Sequence, residues 1–220
     1  MRFALEGAER FRSVLNLADL EHIRNAVSEF PPDRAGIRLH GITALHPYLS
    51  AHGRAGGLAQ VLLGERARPV RALLFDKNSL TNWKVGWHQD RTIVVRRRVE
   101  TQGFGPWSVK AGLQHVTPPF DLLARMITLR VHLDPVDAGN APLLVAPGSH
   151  RWGRIPESEI AGVVEKCGTA ACLAEAGDIW LYATPILHAS EPATAPTRRR
   201  VLQVDYSADE LPPGLEWLGV

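Results

Sequence analysis

Apolar and polar residues alternate along much of the chain after residue 68, and proline or glycine interrupts the alternation every few residues. In residues 127–133, four aliphatic residues alternate with Thr128, Arg130 and His132. A period of two predicts a β-strand with one buried face. Further strands are predicted at residues 69–75, 84–90, 92–96, 142–146, 179–182, 186–189 and 201–206. Many short strands with intervening turns indicate a β-sandwich or jelly roll.

Residues 1–68 have a different pattern, in which helices predominate. Apolar residues from Leu17 to Phe30 recur at helical spacing, and Pro31-Pro32 ends this segment because proline cannot continue a helix. Short helices are also predicted at residues 47–51 and 57–63, and a short strand at residues 37–39. We therefore expect a mainly β fold with flanking helices, in which a mainly helical part, residues 1–68, packs on a barrel. A length of 220 residues, 45% of them hydrophobic, fits a single domain over residues 1–220.

Composition and charge narrow the classes of function. The near balance of 25 basic and 23 acidic residues gives no electrostatic basis for binding nucleic acid. The two cysteines, Cys167 and Cys172, are too few for a disulfide scaffold and lack paired zinc spacing, so we expect free thiols. No signal peptide and no apolar run long enough to cross a bilayer is visible. These observations predict a cytoplasmic protein with no nucleic-acid or membrane partner; a monomer is the default expectation.

The segment Trp87-His88-Gln89-Asp90 contains the first candidate metal ligands. On a strand, His88 and Asp90 point to the same face, so their side chains could reach one metal ion. His188 is the candidate third ligand. Two histidines and one carboxylate on one side of a metal form the facial triad of non-haem Fe(II) oxygenases, which leaves positions open for a cosubstrate and O2. A His-x-Asp motif is frequent by chance, so this prediction depends on the surrounding residues.

A candidate anion site follows the third ligand. Arg199 lies eleven residues after His188, and Ser190 lies two residues after it. Enzymes with this triad often use a dicarboxylic keto acid as the second reductant, and its distal carboxylate requires a cation. Arginine binds a carboxylate bidentately and remains charged when buried, and the Ser190 hydroxyl could donate to the same group. Arg198 and Arg200 remain alternatives, because a shift of one residue turns a side chain to the opposite strand face.

Taken together, these motifs resemble those of the phytanoyl-CoA dioxygenase family of Fe(II)- and 2-oxoglutarate-dependent oxygenases. The likeness extends from about Pro69 onward and is much weaker in the N-terminal third. The matching segments, in the family's order, are residues 82–90, 133–134, 140–143, 147–150 and 187–190, and then Arg199. Ala141 stands where the family usually has glycine.

The resemblance implies a double-stranded β-helix, iron at His88, Asp90 and His188, and 2-oxoglutarate anchored by Arg199. It also implies a reaction, in which hydroxylation of a small organic molecule is coupled to consumption of O2 and conversion of 2-oxoglutarate to succinate and CO2. Relatives that halogenate have a small residue in place of the carboxylate ligand. The presence of Asp90 therefore favours hydroxylation or a related oxidation over halogenation.

Other residues could contact the cosubstrate. Gln89 points away from the metal on an ideal pleat, yet members of the family often use this position near the cosubstrate. Lys84 and Asn82 lie upstream of His88, on the same strand face by a period of two, and could meet a 2-oxoglutarate carboxylate. The alternative for both is an ordinary solvated strand residue.

Candidate substrate-pocket residues come from a second strand and a loop. Thr128, Arg130 and His132 share one strand face, which lines the pocket if that face points into the barrel. Trp107 is a candidate pocket wall, and the remaining tryptophans are interpreted as packing residues. His115 has no motif around it and is interpreted as structural.

Two other functions remain open from the sequence. One is a catalytically inactive jelly-roll protein that binds a metal or a ligand, and the other is a different metal-dependent enzyme of cupin type that needs no keto acid. Phytanoyl-CoA itself is not inferred as the substrate, because one fold supports many substrates.

Overall fold

The computed structural model describes residues 3–32, 34, 36–79 and 81–220. In these residues the chain forms six α-helices and thirteen β-strands. The helices are α1 (Phe3–Glu6), α2 (Leu17–Ala26), α3 (His46–Leu49), α4 (Gly56–Leu63), α5 (Phe120–Ala124) and α6 (Ile160–Cys167). The strands are β1 (Ala8–Phe11), β2 (Ile37–Leu39), β3 (Arg68–Lys77), β4 (Val85–His88), β5 (Ile93–Val95), β6 (Trp107–Lys110), β7 (Leu113–Val116), β8 (Ile127–His132), β9 (Leu143–Val145), β10 (Ala170–Cys172), β11 (Ile179–Ala183), β12 (His188–Ser190) and β13 (Arg199–Ser207). Three short 3-10 helices span Thr43–Leu45, Ser149–Trp152 and Glu157–Glu159.

The strands form three antiparallel sheets. The large sheet has six strands in the order β1-β11-β8-β13-β3-β2, and the small sheet has four in the order β10-β9-β12-β4. The third sheet has three strands, β5-β7-β6. Side chains of the large and small sheets pack together in one apolar cluster, in which Tyr182 contacts the layer that contains Leu143 and Val145. This arrangement is a jelly roll, and it confirms the predicted mainly β fold with flanking helices.

Strand β13 has one apolar face, which packs in the core, and one polar face, which points into the interior of the barrel. Leu202, Val204 and Tyr206 are buried on one face, where they pack with the N-terminal helices. Burying an aliphatic side chain of this size stabilises a fold by about 1.5–3 kcal/mol. Residues Gln203 and Asp205 lie on the other face and bond to polar groups inside the barrel. The alternation along this strand therefore separates the helix-facing core from the interior of the barrel.

Helix α2 begins at a capping box and covers the outer face of the large sheet. The Asn16 side chain accepts from the Asp19 backbone N–H, and the Asp19 carboxylate accepts from the Asn16 backbone N–H. Leu20 and Ile23 are buried against the sheet. The helix ends at Ala26, so the predicted extension to Phe30 was wrong: turn hydrogen bonds replace the helical ladder before the prolines are reached.

The first 68 residues also contribute strands to both edges of the large sheet. Strand β2 pairs with β3, which confirms the strand predicted at residues 37–39. Strand β1, which was not predicted, pairs with β11. The Arg10 guanidinium and the backbone N–H of Ser13 both donate to the Asp178 carboxylate, and these bonds hold β1 in place.

The third sheet contains two strands that the sequence did not reveal. Strand β6 begins at Trp107, and β7 follows after a turn. Both cysteines are free, as expected. No helix among the described residues has the length and apolar character needed to span a membrane.

Candidate metal centre

The structure brings His88, Asp90 and His188 together. Strands β4 and β12 are antiparallel neighbours, and His188 is directly opposite His88 in their register. Asp90 lies two residues beyond the end of β4. One ligand atom from each of the three side chains lies within 4.8 Å of the others. The two chain segments are separated by about a hundred residues, so only the pairing of the small sheet creates this cluster.

Backbone carbonyls orient both imidazoles. The Nδ1 atom of His88 is 2.8 Å from the Gly86 carbonyl oxygen, and that of His188 is 3.0 Å from the Ile186 carbonyl oxygen. A carbonyl oxygen only accepts, so each Nδ1 carries the proton and each Nε2 keeps its lone pair. Burial, followed by the neighbouring His88, lowers the pKa of His188 to about 4, so this ring is neutral at pH 7. Hydrogen bonds of this kind are typical of metal-ligating histidines.

A buried ion-pair network holds the Asp90 carboxylate. Arg71 donates from Nη2 to Asp90 Oδ2 at 3.1 Å and from Nε to Asp205 Oδ2 at 2.5 Å. Burial alone would raise the pKa of Asp90, but the Arg71 guanidinium and the two imidazoles lower it below its ordinary value. The carboxylate is therefore ionised at neutral pH, as metal ligation requires.

A cavity of about 240 Å³ lies beside the three candidate ligands, between the large and small sheets. Its apolar wall consists of Leu73, Phe75, Trp83, Val85, Leu143 and Ala189. Its charged lining consists of Arg38, Arg71, Asp90, Lys110, Arg130 and Arg199. Cationic side chains thus outnumber carboxylates by five to one on this surface.

Arg199 lines one end of this cavity and is only 3% exposed. Its guanidinium donates to the Ala141 carbonyl oxygen, and its buried Nε has no partner among the described residues. Burial and then Arg130 lower the pKa of Arg199 to about 9. The Ser190 hydroxyl lies beside it, 3.5 Å from the same Ala141 oxygen. This end of the cavity presents buried donors and a positive charge without a carboxylate partner in the described chain.

The two neighbouring arginines are engaged elsewhere. Arg198 bonds to the Asp76 carboxylate, with Nη2 to Oδ2 at 2.8 Å. Arg200 bonds to both carboxylate oxygens of Asp134 at 2.8 Å. Of the three arginines considered from the sequence, the structure therefore places Arg199 in the cavity lining.

The three other residues expected near the cosubstrate have different partners. Gln89 is buried, and its amide donates to the Gly153 and Pro185 carbonyls and accepts from the Ile155 N–H. Its polar atoms thus bond to three backbone groups in two segments, residues 153–155 and Pro185, whereas a place near the cosubstrate was expected.

Lys84 and Asn82 also lie away from the expected contact. The Lys84 ammonium is exposed and pairs with the Glu191 carboxylate at 3.0 Å. Asn82 exchanges two hydrogen bonds with the Ala193 backbone. Strand β4 begins only at Val85, so Asn82 and Lys84 do not follow the pleat that would have turned them toward the cavity.

Of the proposed pocket residues on β8, Arg130 lines the cavity, where Nη1 donates to Gln203 Oε1 at 2.9 Å. Thr128 lies deeper and donates to Asp205, which in turn accepts from Arg71. His132 is fully buried, and neither ring nitrogen has a partner among the described residues; burial followed by Arg130 lowers its pKa to about 3.

The structure places Trp107 outside the cavity lining. Its ring packs in the apolar cluster of the third sheet, with the Arg98 guanidinium 5.5 Å from the ring centroid. Trp83, which was expected to be a packing residue, lines the cavity instead. Position in the fold, and not residue type, decides which tryptophan reaches the pocket.

Six polar residues of the cavity were missed from the sequence: Arg38, Arg71, Thr92, Lys110, His115 and Gln203. A detectable signal existed for Arg71, because it is a single charge inside the apolar run of residues 69–75. Such a charge in a buried strand requires a partner. Lys110 and His115 belong to four-residue strands without clear alternation, and their sequence offers no comparable signal.

Comparison with known proteins agrees with this geometry. The sequence model of the phytanoyl-CoA dioxygenase (PhyH) family matches residues 38–201. No curated protein sequence matches the chain. The crystal structure of EctD from S. alaskensis in its apoform has a TM-score of 0.71 at 18% identity, covering 100% of this chain and 79% of that one.

Two further solved structures have the same fold. HygX from Streptomyces hygroscopicus, with nickel and 2-oxoglutarate bound, has a TM-score of 0.61 at 12% identity and covers 93% of this chain and 84% of its own. SnoK, an alpha-ketoglutarate-dependent carbocyclase from nogalamycin biosynthesis, has a TM-score of 0.65 at 17% identity and covers 93% and 80%. Identities this low establish the fold alone, whereas the family match covers well over half of the sequence. The chain belongs to the phytanoyl-CoA dioxygenase family.

Proposed function

We propose that this protein is an Fe(II)- and 2-oxoglutarate-dependent dioxygenase that hydroxylates a small organic molecule. The observation that carries the proposal is the cluster of His88, Asp90 and His188 at the edge of the cavity. Membership of the family supports the same class of reaction. Retention of a carboxylate at residue 90 favours hydroxylation over halogenation.

The three side chains have the donor set that suits ferrous iron. Two imidazoles present Nε2 lone pairs because their Nδ1 atoms are bonded to carbonyls. The ionised Asp90 supplies the one negative charge, held in place by Arg71. Two nitrogen ligands and one oxygen ligand leave the remaining coordination positions of iron open for other molecules. EctD and HygX have each been solved with iron bound.

The far end of the cavity fits the distal carboxylate of 2-oxoglutarate. Arg199 and Ser190 both line it, and the unpartnered Nε of Arg199 is a buried donor that a carboxylate would satisfy. Leaving a buried donor unpaired costs about 1–3 kcal/mol, so an anion there stabilises the site. The buried Lys77 ammonium lies 3.4 Å from the Ser190 hydroxyl and adds positive charge.

The bound iron and 2-oxoglutarate would supply the oxidising chemistry, in which O2 is consumed and succinate and CO2 are released as the substrate gains one hydroxyl oxygen. The chain's own residues have other tasks. The two histidines and Asp90 fix the metal, and Arg199 and Ser190 orient the keto acid. The apolar wall around Phe75 and Trp83 excludes water, which protects a reactive centre from side reactions.

The matched pair of variants Arg199→Gln and Arg198→Gln tests the anchor. Each variant removes one positive charge, and the two residues are adjacent, but only Arg199 lines the cavity. We expect Arg199→Gln to weaken 2-oxoglutarate binding to the Fe(II)-loaded protein about 10- to 100-fold, the loss expected for hydrogen bonds to a charged group. Anaerobic calorimetry measures this directly. Equal dissociation constants for the two variants would contradict the anchor.

Turnover separates an enzyme from an inactive binding protein. A screen of small organic molecules should reveal compounds that raise succinate release in the presence of Fe(II), 2-oxoglutarate and O2. The same compounds should have no effect on the His188→Ala variant. Tight metal and 2-oxoglutarate binding with no succinate release above background would favour the non-catalytic alternative, and activity without 2-oxoglutarate would favour a different metal-dependent enzyme.

A further inference from the structure

A second group of cationic and polar side chains lines the cavity away from Arg199. Arg38 comes from β2 at the edge of the large sheet, whereas Lys110 and His115 come from the third sheet. We refer to these three residues as the basic cluster. Two separate sheets therefore place their donors on one surface. Lys110 is exposed and His115 is 1% exposed, so the cluster extends from solvent into the interior.

The members of the basic cluster lack partners within the described chain. The Nε atom of Arg38 and both ring nitrogens of His115 are buried without a hydrogen bond. Burial followed by the charges of Arg71 and Arg38 lowers the pKa of His115 to about 4, so its ring is neutral at pH 7 and offers one N–H donor. Neutral donors beside a guanidinium and an ammonium form a site for an anion.

The positive charge of the basic cluster is not neutralised even when the metal and the keto acid are counted. The two negative charges of 2-oxoglutarate offset the two positive charges of Fe(II). Asp90 and the adjacent Asp205 offset Arg71 and one further cation. Of the five cationic residues in the lining, three then remain without an anion. Arg38 and Lys110 are two of them, and of their atoms the Nε of Arg38 is buried without a hydrogen bond among the described residues.

Arg71 connects the basic cluster to the candidate metal ligands. It donates to Asp90 at 3.1 Å, and its charge also acts on Arg38 and on His115. Across the β3–β13 pair, Arg71 lies opposite Asp205, whereas Arg199 lies opposite Lys77, six residues away along each strand, so the groups around Arg71 and around Arg199 are apart. The two anion-binding regions are separate, and one of them is left for a molecule other than the keto acid.

We propose that Arg38, Lys110 and His115 bind a carboxylate of the substrate, so that the substrate is a small organic acid. This proposal rests on the proposed function. A cavity of about 240 Å³ is small, since ligand sites commonly measure roughly 300–1,000 Å³. The residual space beside a bound keto acid suits a compact acid, whose carbon skeleton packs on Leu73 while its carboxylate contacts the basic cluster.

Ligand-detected NMR on the full chain tests the proposal without requiring turnover. The probes are benzoate, its neutral counterpart benzamide, and inorganic phosphate, each added to the metal-free protein and to the Zn(II)-loaded protein with saturating 2-oxoglutarate. We expect benzoate to bind about tenfold or more tightly than benzamide, because a charge-assisted contact is lost in the amide. Binding should persist when 2-oxoglutarate fills the Arg199 end.

Matched variants locate the site. Arg38→Gln and Lys110→Gln should each weaken benzoate binding about tenfold. Arg96→Gln removes the same charge from an exposed residue next to β5 and should leave benzoate binding unchanged. Lys110 is exposed, so Lys110→Gln gives a result even if Arg38→Gln fails to fold.

Three outcomes would overturn the proposal: no benzoate binding, benzoate binding that Arg199→Gln abolishes and Lys110→Gln leaves intact, or tighter binding of phosphate than of benzoate. The last result would assign the cluster to a phosphorylated compound. These failures are distinct from failure of the proposed function, which would appear as absent Zn(II) or 2-oxoglutarate binding while benzoate binding in the metal-free protein is unaffected.

Discussion

His188 lies directly opposite His88 across the antiparallel pair β12 and β4, and the centroids of their imidazole rings are 4.3 Å apart. Hydrogen bonds from each Nδ1 to a carbonyl turn the Nε2 atoms toward the same space as the Asp90 carboxylate. This register is the feature on which the site depends, because a shift of one residue would turn one ring to the opposite face of the sheet.

Arg71 is predicted to be the main support of the Asp90 carboxylate. Arg71→Met would leave Asp90 and Asp205 buried side by side without a cation, so we expect a loss of about 3–5 kcal/mol in the free energy of unfolding. Adding Asp205→Asn should recover part of this loss, because it removes one of the two facing charges. Urea denaturation of the single and double variants measures the coupling.

The control for this prediction is Arg68→Met on the same strand. Arg68 pairs with the exposed Glu210, and an exposed pair contributes only about 0–1 kcal/mol. Equal destabilisation by the Arg68 and Arg71 variants would show that the buried network around Asp90 has no special role.

Asp178 is predicted to make stability depend on pH. Burial alone would raise the pKa of this carboxyl, but the backbone N–H groups of Ser13 and Glu175 and the Arg10 guanidinium lower it. A lowered pKa in the folded state stabilises the protein above the unfolded value of about 3.9, and this contribution is lost as the pH falls below that value.

Asp178→Asn should therefore cost about 2–3 kcal/mol at pH 7, less than the roughly 3–5 kcal/mol of a fully buried pair because Arg10 is partly exposed. The difference in unfolding free energy between wild type and variant should shrink below pH 4. The exposed Glu165→Gln variant removes the same charge and should show a small difference at every pH. A difference for Asp178→Asn that stays constant from pH 7 to acid would refute the ion-pair account.

Gln89 is predicted to stabilise the fold and to have little effect on binding of the cosubstrate. Gln89→Leu would leave two carbonyls and one N–H without their amide partner, so we expect a loss of about 2–4 kcal/mol in the free energy of unfolding. The dissociation constant for 2-oxoglutarate, measured below the unfolding transition, should change less than about twofold. A large increase in that constant with unchanged stability would restore the cosubstrate role suggested by the sequence.

Ala141 is predicted to tolerate glycine but not a branched residue. Its φ angle is +51°, which lies in the left-handed region, and its carbonyl oxygen accepts from Arg199. Ala141→Gly should change stability by less than about 1 kcal/mol, because relief of the backbone conformation offsets the loss of a buried methyl group. Ala141→Val should cost more than about 2 kcal/mol and weaken 2-oxoglutarate binding, since a β-branched residue is disfavoured at positive φ. Equal thermal midpoints for the two variants would contradict this account.

The residues that could be predicted from the sequence are those with a local signal. Alternation revealed β8 and β13, and the His-x-Asp motif together with the late His188 identified the candidate ligands. The preference of the family for glycine at residue 141 agrees with the positive φ found there. Each of these features is encoded within a few neighbouring residues.

The basic cluster could not be predicted because it depends on contacts between distant segments. Arg38 reaches the cavity through the pairing of β2 with β3, and His115 through a short strand that has no alternation. The expectation for Lys84 and Asn82 assumed that the alternation of side-chain directions continues upstream of Val85, the residue at which β4 begins. Local periodicity predicts the direction of a side chain only inside the strand to which it belongs.

The most direct test of the metal centre is an anaerobic titration of Fe(II) into the protein with 2-oxoglutarate, followed by visible absorption. We predict that the weak charge-transfer band of the iron–keto acid chelate appears and saturates in the wild-type protein and in Arg198→Gln, and that it is absent from His188→Ala. No band in the wild-type protein, or an equal band in His188→Ala, would contradict the assignment of His88, Asp90 and His188 as the iron ligands.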